Sequence, residues 1–229
     1  MLDQVKTQPA LIDQVHDQLV AAISSGTLVP GQPLRQEQLA EMLGVSRQPV
    51  SHALRLLKHR GLVIEHGRRG LAVAPLDGAR IRHLYQVREA LDGLAARLAA
   101  ERVCKSEAAE ADIARLTHAL KHGQHLDQDC PPFDLVSADV AFHRALYQLS
   151  GNPEIAQTVA EQWPQFMRSM AVVLEADGER QRIWREHREI AEAVLAGDAQ
   201  AAEDCARRHT RRAGESTARR VGAHATSKQ

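Results

Sequence analysis

The sequence predicts a mainly α-helical protein, in which a small N-terminal domain with one short β-hairpin precedes an all-α helical bundle. Three observations support this prediction. Alanine, leucine and arginine, which favour helices, are abundant, whereas aromatic residues make up only 3% of the 229 residues. Apolar residues recur at helical spacing along most of the chain. Only residues 61–75 combine two short apolar runs with a glycine-bounded polar turn, which indicates a hairpin.

The N-terminal domain, expected over residues 9–75, has three helices before its hairpin. We expect the first helix over 9–24, the second over 36–43, and the third from Ser46, a favourable N-cap, to the residue before Gly61. The third helix has one apolar face, formed by Val50, Ala53, Leu54 and Leu57.

The second and third helices are joined by a tight Gly-Val turn, which is typical of a helix-turn-helix, and the hairpin then supplies a wing. In this winged helix-turn-helix the third helix would enter the DNA major groove with its N-terminal residues first. Ser46 and Gln48 can exchange hydrogen bonds with bases or phosphates, and Arg47 can pair with guanine or hold a phosphate. The alternative is a solvated helix start beside an ordinary basic turn.

Charge supports the DNA-binding interpretation. The whole chain has a formal net charge of zero, but residues 33–70 carry seven basic and three acidic side chains, a local charge of +4. Arg55 and Lys58 lie farther along the third helix and would meet the DNA backbone. The wing could reach the minor groove or phosphates through His66, Arg68 and Arg69.

The second domain, expected over 78–220, is an all-helical bundle. Its helices are separated by turn signals such as DQDCPP, SGNP and EADGE. We expect its helices near 78–101, 106–122, 133–150, 153–174, 180–196 and 198–220. Residues 221–229 are expected to form a disordered tail.

The sequence argues against a membrane-spanning protein and against a secreted one. No apolar run approaches the roughly 20 residues that span a bilayer, and the N-terminus lacks the features of a signal peptide. The three cysteines are far apart and form no CxxC motif, so we interpret them as reduced thiols of a cytoplasmic protein. The arginines near the C-terminus are interpreted as solvated surface that complements a helix dipole.

A second constellation lies in the bundle. Asp139 and His143 are four residues apart, so they share one helix face, and that face is apolar beyond them. His187 and His209 lie on either side of a Gly197-Asp198 turn, about 15 Å and 18 Å from it along antiparallel helices. One aspartate and three histidines suit a divalent ion such as zinc, nickel or manganese. The alternative is a satisfied polar core.

The first third of the chain resembles the DNA-binding domain of the GntR family of bacterial transcription regulators. The resemblance rests on an IxxGxLxPGxxL pattern over 23–34, on QLAEMLGVSRQPVSHALRLLKHRGLV, and on the glycine-rich wing. It implies DNA contacts from Ser46, Arg47, Gln48 and the wing residues His66 and Gly67, with Arg35, Ser51, Arg55 and Arg68 completing our candidate set. Relatives commonly carry Arg-Glu where this chain has Ser51-His52, and often Glu at Gln36, so affinity or operator sequence is expected to differ.

Residues 80–213 resemble the FCD effector domain of one GntR subfamily, through YQVREALDGLAARLAA, DxxxH, SGNP and EHREIAEAVLAGDAQAAEDCARRH. The resemblance implies a divalent metal held by Asp139, His143, His187 and His209. It also implies a small organic acid as effector, at or beside the metal. Arg88 and Arg168 could hold such a carboxylate by a bidentate pair, the alternative for each being a surface ion pair.

We therefore predict a cytoplasmic, effector-responsive transcription regulator, associated with the nucleoid when bound to DNA. A homodimer would bind a pseudo-palindromic operator, and the resemblance favours repression relieved by a small carboxylate. A metal-dependent hydrolase is the rival class, but the sequence offers no HExxH motif, no nucleophile elbow and no evident general base. A constitutive DNA-binding regulator with a structural metal is the third possibility.

Overall fold

The computed structural model describes residues 9–68, 70–127, 130–174 and 179–226. Within these ranges the protein has ten α-helices and one antiparallel pair of strands, which confirms the predicted fold class. The chain separates into two compact units between Pro75 and Leu76, each with its own hydrophobic cluster. Across the described ranges we find no helix with the length and apolar character needed to cross a membrane.

The first unit consists of three helices and a hairpin. Its elements are α1 (Pro9–Ser24), α2 (Gln36–Leu43), α3 (Arg47–His59), β1 (Val63–His66) and β2 (Gly70–Val73). The strands pair from Val63 opposite Val73 to His66 opposite Gly70. The predicted apolar face of α3 is completely buried, because residues at positions i, i+3, i+4 and i+7 lie on one side of a helix: Val50, Ala53, Leu54 and Leu57.

Gly44 makes the tight turn between α2 and α3 possible. It adopts the left-handed conformation with φ of 64°, and its amide donates to the carbonyls of Ala40 and Glu41. Ser46 follows in an extended conformation at the N-cap position of α3, as predicted, but its side chain makes no capping hydrogen bond. The Ser46 hydroxyl is therefore exposed at the start of α3.

The second unit is entirely helical. Its elements are α4 (Gly78–Cys104), α5 (Glu110–Gln124), α6 (Pro132–Leu149), α7 (Pro153–Ala160), α8 (Trp163–Leu174), α9 (Glu179–Leu195) and α10 (Ala199–Thr226). The long helices α4 and α10 pack along each other, and α6 is buried among α4, α5, α7 and α8. Asp77 begins α4 by accepting hydrogen bonds from the amides of Ala79 and Arg80.

Several boundaries differ from the prediction. The single helix expected over 153–174 is two helices, because Pro164 lacks an amide hydrogen and fits the first turn of α8 rather than a helix interior. The helix expected from 106 begins at Glu110, since Ser106 adopts a positive φ of 58°. Helix α10 continues to Thr226, so residues 221–226 are helical rather than part of a disordered tail. Residues 227–229 of that expected tail lie outside the described ranges.

Candidate metal centre and DNA-facing surface

Four buried polar side chains meet inside the second unit. Asp139 and His143 lie one turn apart on α6, His187 lies on α9, and His209 lies on α10. Each residue offers one oxygen or nitrogen atom to a metal, and these four atoms all lie within 4.8 Å of one another. Each of the four residues is at most 3% exposed. The structure thus brings together the four residues that the sequence indicated as metal ligands.

The α9–α10 hairpin aligns two of these histidines. Gly197 ends α9 with φ of 72°, and Asp198 begins α10 by accepting a hydrogen bond from the amide of Ala201 at 3.0 Å. Because the two helices run antiparallel from this turn, residues at similar distances from it become neighbours. The Nε2 atoms of His187 and His209 are accordingly 3.1 Å apart.

Asp139 faces one histidine of its own helix and one of α9. Its Oδ1 lies 3.4 Å from Nε2 of His187, and its Oδ2 lies 3.8 Å from Nε2 of His143. Aromatic packing fixes the His187 ring, which stacks on Phe142 with centroids 4.2 Å apart and meets the ring of Trp184 at 4.8 Å and 78°. The site therefore has little freedom to rearrange its donor atoms.

Burial controls the protonation of this cluster. It is the main reason that the pKa of His143 lies well below its usual 6.5, with the charges of Arg88, His187 and His209 acting in the same direction. Burial likewise lowers the pKa of His187, reinforced by His209 and Arg88. Burial raises the pKa of Asp139, which Arg88 and His209 oppose. His143 and His187 are therefore neutral near pH 7, and a neutral imidazole has the lone pair that a metal needs.

The polar atoms of the cluster also fit a cation. Among the described residues, Asp139 Oδ2 and His143 Nε2 have no hydrogen-bond partner although both are buried, and buried polar atoms rarely stay unsatisfied. The Nε2 atoms of His187 and His209 point at each other. A divalent ion among the four side chains would satisfy all of these atoms. One carboxylate and three imidazoles form a donor set suited to zinc, nickel or manganese.

Asp92, which the sequence reasoning missed, lies behind His143. It is fully buried on α4 and accepts hydrogen bonds from the Tyr147 hydroxyl and, at 2.6 Å, from Thr210 Oγ1. Its Oδ2 is 3.5 Å from His143 Nδ1 and 3.3 Å from Arg88 Nε. At 3.5 Å the contact with His143 is longer than a good hydrogen bond, so Asp92 is a carboxylate neighbour of the ring and not its hydrogen-bond partner. The only local signal was the i,i+4 spacing from Arg88, which does not reveal contacts with α6 and α10.

Arg88 is buried rather than at the surface. Its guanidinium carbon lies 5.6, 4.8 and 4.9 Å from the ring centroids of Tyr85, Trp163 and Phe166, respectively, which is the range of cation–π contact. Together with the Asp92 ion pair, these rings hold the guanidinium beside the four-residue cluster. The surface ion pair considered for Arg88 is therefore wrong, since its partner Asp92 is equally buried.

A small cavity of about 20 Å³ adjoins the cluster and is lined by Arg88, Asp139 and His209, among others. Arg168, the other arginine expected to hold an effector, is not among the described residues that line it. Arg168 is nevertheless buried on α8. Burial, aided by the charge of Arg80, lowers the pKa of Arg168 to about 10.

The candidate DNA contacts are accessible in the first unit. At the start of α3, Ser46, Arg47 and Gln48 are exposed and Ser51 is half-buried. The remaining candidate DNA contacts are also exposed. They lie just before α2, on α3 and on the wing: Arg35, Arg55, His66, Gly67 and Arg68. The wing residue Arg69 lies outside the described ranges.

Acidic neighbours accompany both ends of α3. Arg47 Nη1 lies 3.0 Å from Glu37 Oε1 on α2, and both side chains are about two-thirds exposed. Lys58 Nζ lies 2.6 Å from Glu65 Oε1 on the first wing strand. These pairs orient the basic side chains, although each is accessible to solvent and so adds little to stability.

The fold defines a winged helix-turn-helix unit, typical of DNA-binding regulators, in the same chain as an all-helical unit. Comparison with known families agrees: residues 11–73 match the bacterial regulatory proteins of the gntR family, and residues 83–212 match the FCD domain. The chain belongs to the GntR family and carries an FCD domain. Like the relatives it matches, it is a DNA-binding transcription regulator and not an enzyme.

Its relatives are similar over most of their length. An uncharacterized HTH-type transcriptional regulator in an unstable DNA locus of Streptomyces ambofaciens is 32% identical, over 80% of this chain and 75% of that protein. A probable D-xylose utilization operon transcriptional repressor of Paenarthrobacter nicotinovorans is 27% identical, over 89% and 87%. The crystal structure of a putative GntR regulator from Rhodococcus sp. RHA1 shares the fold, with a TM-score of 0.75 and 24% identity over 90% and 96%.

Proposed function

We propose that this regulator is a repressor that binds its operator as a homodimer and releases it when a small carboxylate binds at a divalent metal. The observation that supports this proposal most directly is the buried cluster of Asp139, His143, His187 and His209, with Arg88 beside it. In this proposal, residues 9–75 form the DNA-binding domain and residues 78–220 the effector-binding and dimerisation domain.

Asp139, His143, His187 and His209 would hold the metal, which we expect to be zinc, nickel or manganese. When bound, such an ion would supply a Lewis-acid site for the carboxylate of an effector. The chain's own contribution is to keep His143 and His187 neutral by burial and to orient the donor atoms through the α9–α10 hairpin. Negative charge on an organic acid complements both the cation and the guanidinium of Arg88.

The size of the cavity suggests how the effector could act. A volume of about 20 Å³ accommodates little more than a water molecule. An organic acid must therefore enlarge the space between α4, α8 and α10, and an effector can shift a conformational equilibrium only if it binds one state more tightly. We place Arg88 in direct contact with the carboxylate. Arg168 is a second candidate, which would join only if α8 moved.

DNA recognition would use the exposed start of α3 in the major groove, with Arg47 as the principal base or phosphate contact. Ser46, Gln48 and Ser51 would complete the contacts of α3, while Arg35 and Arg55 hold phosphates. The wing would contribute through His66, Gly67 and Arg68. In a two-fold dimer the two α3 helices would bind half-sites about 34 Å apart. The relative named as a repressor favours repression as the mode of action.

The first experiment is a measurement of metal content by native mass spectrometry and elemental analysis. We expect about one divalent ion per chain in the wild-type protein and none in a His143→Ala/His209→Ala variant. The matched control is His118→Ala/His122→Ala, which removes two exposed histidines of α5 and should leave the metal in place. Wild-type protein without metal, even after reconstitution, would make the cluster a polar core and refute the proposed sensor site.

A second experiment separates sensing from a purely structural metal. DNA selected from a random library would be titrated by fluorescence anisotropy with and without a panel of small organic acids. We expect at least one metal-chelating acid to weaken binding, and an Arg88→Met variant to lose that response. If no acid changes DNA affinity, and if removing the metal unfolds the second unit, the protein would be a constitutive regulator with a structural metal.

A further inference from the structure

Glu186 is a buried carboxylate directly before the ligand candidate His187 on α9. It is only 4% exposed. Its Oε2 lies 2.9 Å from Nδ1 of His209 on α10. Its Oε1 accepts hydrogen bonds from Arg182 at 2.9 Å and from Arg212 at 3.1 Å. One side chain thus connects the partly buried Arg182 and the exposed Arg212 to a buried histidine of the candidate metal cluster.

These partners keep Glu186 ionised despite its burial. Its Oε1 accepts charge-assisted hydrogen bonds from two guanidinium groups, those of Arg182 and Arg212, and these favour the carboxylate form. A carboxylate can only accept hydrogen bonds. The Nδ1 of His209 must therefore carry the hydrogen, which leaves a lone pair on Nε2 whenever the ring is neutral.

This arrangement distinguishes His209 from the other two histidines. The Nδ1 of His187 has no hydrogen-bond partner among the described residues, and its ring is held by aromatic packing instead. The Nδ1 of His143 lies 3.5 Å from Asp92, beyond a good hydrogen bond. Within the described part of the chain, His209 is the one of the three whose Nδ1 has a carboxylate oxygen at hydrogen-bond distance, and such a partner raises the basicity of a histidine ligand.

We propose that Glu186 is a positioning residue that fixes the His209 tautomer and makes His209 the strongest of the three imidazole ligands. This inference rests on the proposed metal site and adds a residue that acts on the metal only through His209. It also makes Arg182 and Arg212 supports of the site from outside, because they hold the carboxylate of Glu186 in place.

The test compares Glu186→Gln with Glu189→Gln. The control lies on the same helix and removes a carboxylate that pairs with Arg208 at 2.8 Å and is far more exposed than Glu186. The probe is Co²⁺, whose visible absorption reports ligand geometry and whose affinity can be titrated. We expect Glu186→Gln to bind Co²⁺ about 10 to 100 times more weakly, with a changed spectrum. Glu189→Gln should match the wild type in both.

A second measurement does not depend on how the variant folds. Long-range ¹H–¹⁵N correlation spectra of the metal-free wild-type protein at pH 8 report which ring nitrogen of His209 is protonated. We expect the Nδ1–H tautomer. Finding the Nε2–H tautomer would overturn the inference, as would equal Co²⁺ affinity and spectra for Glu186→Gln and wild type. Wild-type protein that takes up no Co²⁺ would instead refute the metal site itself, and the role of Glu186 with it.

Discussion

Mild acid should destabilise the metal-free second unit, because two of its histidines are buried in their neutral form. Burial lowers the pKa of His143 and His187 below the value of 6.5 that they have in the unfolded chain. Below pH 6.5 the unfolded chain therefore binds protons that the folded protein excludes, so stability falls as the pH falls. Between pH 6.5 and 5.5 an unfolded histidine goes from half to about nine-tenths protonated. This change costs about 1 kcal/mol per histidine, or about 2 kcal/mol for the pair.

Asp139 acts in the opposite direction and has to be separated from this effect. Burial raises its pKa above the usual 3.8, so at pH values just above 3.8 the folded protein binds a proton that the unfolded chain has released. This contribution becomes more favourable as the pH falls. In an Asp139→Asn variant it is absent, and the two histidines determine the slope. The pKa of Glu186 is lowered from 4.5 to about 2. Protonation of this carboxylate therefore begins to destabilise the folded protein only near pH 4.5, below the interval from pH 6.5 to 5.5.

The assay is urea unfolding of chelator-treated protein at a series of pH values, followed by tryptophan fluorescence. Both tryptophans of the chain, Trp163 and Trp184, are buried in the second unit, so the signal reports that unit. We expect the free energy of unfolding of Asp139→Asn to fall by about 2 kcal/mol between pH 6.5 and 5.5. A free energy that is constant or rises over this interval would show that the histidines are protonated in the folded protein, and the reasoning would be refuted.

Three further predictions concern single residues. Arg47→Ala should weaken specific DNA binding by about 1–3 kcal/mol in fluorescence anisotropy. The control Arg97→Ala removes a half-exposed arginine of the second unit and should leave DNA binding unchanged. Equal DNA binding by the two variants would remove Arg47 from the interface. Leu54→Ala should lower the free energy of unfolding of the first unit by about 2–5 kcal/mol in calorimetry, because the side chain is completely buried; a smaller loss would mean that the core closes around the cavity. Gly123→Ala should lower the midpoint of thermal unfolding by several degrees, since the new Cβ would lie 1.8 Å from the Trp184 ring; an unchanged midpoint would show that the ring moves aside easily.

Periodicity and turn signals predicted most of the fold. The spacing of Val50, Ala53, Leu54 and Leu57 determined which face of α3 is buried, because a helix repeats every 3.6 residues whatever surrounds it. The break at Pro164 was missed, since the apolar pattern of α7 continues into α8 and only the proline marks the new helix start.

The candidate site was predicted where its residues have a local relationship in the sequence. Asp139 and His143 are one turn apart, and His187 and His209 are related by a single hairpin. The carboxylates of Asp92 and Glu186 carried no such signal, because their histidine partners are 51 and 23 residues away on other helices, which meet only after the bundle packs. Arg88 was expected at an effector site, but its aromatic surroundings on α4 and α8 could be seen only in three dimensions.

The Glu37–Arg47 pair has a consequence for how strongly salt affects DNA binding. A basic side chain that takes hold of a phosphate normally adds to the number of counterions that the nucleic acid releases, and this number sets the slope of log affinity against log salt. Arg47 already has a carboxylate partner 3.0 Å away in the isolated protein. Contact with DNA would exchange one anion for another and leave Glu37 to recruit a cation from solution. The salt dependence should therefore indicate fewer contacts than the basic residues on the α3 surface would suggest.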